Sequence, residues 1–122
     1  MASANDIEQL KKRTKTFSVR VFKLCRARPK NRETDRIARQ ILRSASSVAA
    51  NHRAVCRSRS RADFIAKLGV VIEEVDETLF WLEYLVDCEV MPARKLADLM
   101  KEANELTAIF VSARETSRSR KW

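Results

Sequence analysis

Residues 60–86 read SRADFIAKLGVVIEEVDETLFWLEYLV, and the periodicity of this run decides the fold. Phe64, Leu68, Val71, Val75, Leu79, Leu82 and Val86 recur at steps of three and four, the spacing of one face of an α-helix. Ser60 and Asp63 fit a capping box at its start, with Asp in place of the usual Glu or Gln. A second apolar set, Ile65, Val70, Ile72, Phe80, Trp81 and Tyr84, lies off that stripe. A helix apolar on more than one side is buried on more than one side. Either the second side faces another subunit, or the helix is central and covered by three neighbours of its own chain. A four-helix bundle has no central helix, which favours the subunit. Ile65, Ile72, Phe80, Trp81 and Tyr84 are therefore the expected oligomer interface.

Three further segments flank this one. Toward the N-terminus, Ile7, Leu10, Thr14, Phe17, Val21 and Leu24 form a helical seam that Asp6 can cap and Pro29 closes. A second begins near Asn31 to Thr34, with the stripe Ile37, Ile41, Ala45, Val48, His52 and Val55. Its middle, Ser44 to Asn51, is a run of small side chains that lets a neighbouring helix come close. After residue 91, Pro92 suits a first helical turn, and Leu96, Leu99, Ala103, Leu106 and Phe110 repeat the helical step. Residues 117–122 show no period and are expected to form a frayed basic tail. The expected helices are 6–28, 33–55, 61–86 and 92–116 in a single domain, 1–122. At 1.5 Å per residue, helices of this size run to about 33–39 Å. Matched lengths and short connections make the chain all-α, an antiparallel up-down-up-down four-helix bundle. The alternative is an elongated helical hairpin that dimerises.

Composition agrees. One Gly and two Pro in 122 residues leave too few turn residues for a β-fold and too few glycines for a Rossmann or P-loop site. Cys25, Cys56 and Cys88 are odd in number and widely spaced, which argues against a disulfide framework or zinc site and for reduced thiols in the cytoplasm. Nothing near Met1 resembles the apolar core of a signal peptide, and no apolar run is long enough to cross a membrane. The net charge of +9 is unevenly spread: 17 Lys/Arg against 4 Asp/Glu in residues 1–61, and 8 against 12 in residues 62–122. A basic half suits a phosphate backbone, or the acidic half of another copy.

Catalytic chemistry finds little purchase. A di-iron bundle needs Glu-x-x-His pairs, but His52 is the one histidine and Ala49 stands three residues before it. No metal, cofactor or catalytic residue is expected, and the chain reads as non-enzymatic. Glu73, Glu74, Asp76 and Glu77 are dense, but the stripe points most of them outward. Arg32, Arg36, Arg39 and Arg43 step by four, three and four along one face, and Arg57, Arg59 and Arg61 follow in the next turn. These seven are the candidate nucleic-acid-binding residues, for RNA or DNA read through phosphate and shape. Alternatively they pair with Glu73, Glu74 and Glu77 of a neighbouring helix or subunit, in a scaffold that binds a protein partner.

Three blocks carry a resemblance: Gln40-Ile-Leu-Arg-Ser-Ala-Ser-Ser-Val-Ala-Ala-Asn51, Ser60-Arg-Ala-Asp-Phe-Ile-Ala-Lys-Leu68 and Glu74-Val-Asp-Glu-Thr-Leu-Phe-Trp-Leu82. In order and spacing they resemble the bacterial four-helix-bundle family of 23S rRNA intervening-sequence proteins. Ala49 stands where that family usually has glycine. The resemblance implies an antiparallel four-helix bundle, assembly as a homopentamer and a nucleic-acid role.

Overall fold

The computed structural model describes residues 4–119. Four helices follow one another: α1 (Ala4–Arg26), α2 (Arg32–Val55), α3 (Arg61–Asp87) and α4 (Ala93–Ser119). Each connection is five residues long, too short to let a helix do anything but turn back along its predecessor. The result is an antiparallel up-down-up-down bundle. α1 packs on α2, α2 on α3 and α3 on α4, and α1 meets α4 over a shorter stretch to close the square. α1 and α3, like α2 and α4, are diagonal pairs with no close backbone approach.

Local chemistry sets the helix ends. Asn31 caps α2, accepting from the Thr34 amide, while the Thr34 hydroxyl accepts from the Asn31 amide in return. At α3 the box is only half formed. The Ser60 side chain accepts from the Asp63 amide, but the Asp63 carboxylate takes the Arg59 amide rather than that of Ser60. α1 begins at Ala4, so Asp6 lies inside its first turn, near the positive end of the helix dipole. α3 ends in a Schellman turn: the Val90 amide donates to Leu85 and the Glu89 amide to Val86. Glu89 sits at φ 60, a left-handed conformation that glycine adopts more readily. Pro92 falls just before α4 rather than within it. The expected tail begins later than its composition suggests. α4 continues to Ser119, and Ser117 is buried. Residues 120–122 of that expectation lie outside the described residues.

The core is built from the four stripes. Phe17 and Val21 of α1, Ile41 and Val48 of α2, Leu68, Val71, Val75 and Leu82 of α3, and Leu96, Leu106 and Phe110 of α4 are almost wholly buried. In α3 the stripe is rotated slightly from its sequence reading: Thr78 and Leu85 are buried, while Leu79 and Val86 flank them. The Thr78 hydroxyl lies 2.8 Å from that of Ser44 and 2.8 Å from the Glu74 carbonyl, so a polar pair bridges α2 and α3 inside the core. The small-residue run of α2 does what its size permits. Ser18 of α1 comes close enough to hydrogen-bond the Ala45 carbonyl.

Candidate nucleic-acid interface

The outward face of α2 is one continuous stripe that runs on into the turn after it. Arg32, Arg36, Arg39, Arg43, Ser46, Ala50, Arg53 and Arg57 follow at steps of three and four, and all eight are exposed. The rise from Arg32 to Arg53 is about 32 Å. Four arginines stand at one end and Arg53 and Arg57 at the other, with a low saddle at Ser46 and Ala50 between them.

Not every arginine is available. Arg43 is held by the same chain: one of its amines pairs with the Glu77 carboxylate and the other lies 3.8 Å from Glu74. The alternative pairing expected for this stripe is thus realised once, within the chain, and Glu73 takes no part in it. Burial raises the Glu74 carboxyl above the usual range, against the opposing pull of Arg43. Arg32, Arg36, Arg39, Arg53 and Arg57 form no ion pair among the described residues. Arg61 is half-buried and has an interaction of its own, so it does not stand with the exposed group.

At the α2–α3 turn, Arg53, Arg57, Arg59 and Lys67 surround an open depression of about 520 Å³, floored by Ala50 and Ala54 with Asp63 on its rim. Lys67 donates to Asp63 at 2.9 Å, and this bond holds the carboxyl below its usual range. One carboxylate against four cations leaves the depression positive. Arg53 and Lys67 were absent from the sequence-based set. Arg53 lies ten residues past Arg43 across small side chains, and only continuation of the helical step would have found it.

The expected interface residues separate into two kinds. Phe80 and Tyr84 are 52% and 40% exposed. Ile72 and Trp81 are half-buried and pack against the chain's own core, and Ile65 is half-buried. The Phe80, Trp81 and Tyr84 rings touch, with centroids 5.0 to 6.0 Å apart. The sequence reading missed two exposed apolar residues on α1, Val19 and Phe22 at 43% and 47%.

His52 lies on the buried side of α2, its ring 5.4 Å from that of Phe110. Burial, with a smaller push from Lys11, holds its imidazole below the usual histidine range. Cys56 Sγ lies 4.0 Å from His52 Nδ1, and burial raises that thiol rather than activating it. Among the described residues, no three His, Cys, Asp or Glu side chains are grouped to hold a metal ion, and no helix is long and apolar enough to cross a membrane.

Residues 8–112 match the family described as 23S rRNA-intervening sequence protein. Among solved structures, the chain is similar to a protein of unknown function from the S23 ribosomal protein family of Bacteroides thetaiotaomicron. The two share 29% identity over 86% of this chain and 97% of that one, with a TM-score of 0.77. No curated protein matches.

Proposed function

Because the chain belongs to the 23S rRNA-intervening sequence protein family, we propose that it is a non-enzymatic, nucleic-acid-binding accessory protein of the cytoplasm that works as a homo-oligomer, the homopentamer implied by the family resemblance. The observation that carries this reading is the α2 stripe. It presents five arginines that form no ion pair among the described residues along one exposed line, and the line runs into the positive depression at the α2–α3 turn. Evenly spaced guanidinium groups suit a phosphate backbone, where each contact releases counterions. The stripe carries no aromatic side chain, so bases have nothing to stack on and recognition rests on phosphate and shape.

A titration of nuclease-treated protein against structured RNA and duplex DNA, at about 50 and 200 mM salt, tests the reading. Six or more phosphate contacts predict a loss of affinity of about a thousandfold between those salts. Arg36→Glu combined with Arg53→Glu should abolish binding while the oligomer stays intact. Retained binding would remove α2 from the interface. No binding at the lower salt would favour the second reading, a scaffold for a protein partner. The Arg43 ion pairs with Glu77 and Glu74 lend that reading support, because they show the stripe already serving structure at one position.

A further inference from the structure

The charges of the two diagonal helices mirror each other. α1 carries seven Lys/Arg against two Asp/Glu, and α3 carries two against seven. Each also bears large apolar side chains that stay 40% or more exposed on its outward face. On α1 these are Val19 and Phe22, with Lys15 and Arg26 on the same face, and the Arg26 guanidinium lies 5.5 Å from the Phe22 ring. On α3 they are Val70, Phe80 and Tyr84, with Glu73 between them.

The heights agree as well. Ser18 hydrogen-bonds the Ala45 carbonyl, and the preceding residue, Ser44, bonds Thr78, so residues 18 and 78 stand at one level of the bundle. α1 and α3 run in the same direction, and a residue of α1 is therefore level with the residue of α3 sixty positions later. Phe22 falls between Phe80 and Tyr84, and Lys15 between Glu73 and Asp76.

We infer that the α1 face of one copy docks on the α3 face of the next, head to tail, with Phe22 seated against Phe80 and Tyr84 and Lys15 against the acids near Glu73. This deepens the self-association within the function proposed above and commits it to one pair of surfaces. A sideways step with no rise along the bundle brings the two faces together. Apolar burial supplies the attraction, and the opposite charges set register and exclude α1–α1 and α3–α3 pairing. An open chain of copies always ends in one free face of each kind, so growth stops only when a ring closes. None of the residues named for this contact belongs to the outward stripe of α2.

Phe22→Glu and Phe80→Glu each remove one of the two faces. With nucleic acid digested away, light scattering should find each variant as a 14.1 kDa monomer at concentrations where the unaltered chain is several-fold larger. Mixed in equal amounts, they should form a two-chain complex and nothing larger, because one intact α1 face meets one intact α3 face. An interface that pairs a face with itself gives no such rescue. Circular dichroism checks that both variants are folded, and Lys15→Glu with Arg26→Glu repeats the α1 arm without touching an apolar residue. Wild-type mass in either Phe variant, or a mixture that stays monomeric, would overturn the head-to-tail contact while leaving self-association in place. A monomeric unaltered chain would overturn both. RNA titration of the monomeric variants reads the α2 interface separately.

Discussion

Thr78 and Ser44 form a hydroxyl pair where the surrounding core is apolar. The pair ties α2 to α3 at this level, while each hydroxyl also reaches a carbonyl of its own helix, Glu74 for Thr78 and Ile41 for Ser44. Thr78→Val keeps the shape and removes one partner, and chemical denaturation should show a loss of about 1 kcal/mol. Ser44→Ala added to it should cost less than the two single changes summed, because both remove the same interhelical bond. His52 is the residue through which pH acts. An unfolded histidine titrates near ~6.5, and the buried imidazole is held below that. In the window below ~6.5 the unfolded chain therefore binds the extra proton, and stability falls as pH drops into it. Denaturation midpoints at about pH 7.5 and 5.5 should show that decline, and His52→Leu should flatten it.

Among the helices, α1 is held least evenly. It packs fully on α2 but meets α4 only briefly, and Arg13 bridges that seam with a two-pronged contact to Glu102 and a third bond to Glu105. Arg13→Ala should cost about 1 kcal/mol, since the pair is partly solvated. Hydrogen exchange should locate the effect, with faster exchange in α1 and unchanged protection in α2 and α3. At this scale the helices were legible because a three-and-four step of apolar residues has one geometric meaning. The stripes of α2 and α4 are buried residue for residue. α3 was harder, because it is apolar on several sides and period alone could not choose Thr78 over Leu79 as the central position. For the same reason Ile72 and Trp81 read as interface residues although they pack on the chain's own core. Ile72→Glu should therefore lower stability by on the order of 2–3 kcal/mol, whereas Phe80→Glu should cost the single bundle little and lower the melting temperature only by what lost self-association removes.

Over the whole molecule, the basic side was legible as composition but not as a surface. The run Arg32 to Arg43 announced itself, yet its loss of Arg43 to Glu77 depends on how two helices register, which no single segment encodes. Val19 and Phe22 escaped notice because they neighbour the seam residues Phe17 and Val21, and apolar letters so close together read as one face. If α2 meets RNA as proposed, the milder single change Arg36→Ala should slow association more than it hastens release, and the effect on the on-rate should shrink between about 50 and 200 mM salt as screening shortens the reach of the charges. Stopped-flow mixing checks both.

The up-down arrangement has one more consequence. Helix macrodipoles that alternate in direction cancel along the bundle axis, while the charges of α1 and α3 do not cancel across it. What survives is a permanent moment perpendicular to the long axis, its positive pole on the side of α1 and α2. In a closed ring the moments of the copies cancel, whereas in the field of a polyanion a free single copy feels a torque before it makes contact. It turns its arginine-bearing edge forward and its acidic edge away, so orientation is largely settled by the time the two surfaces meet.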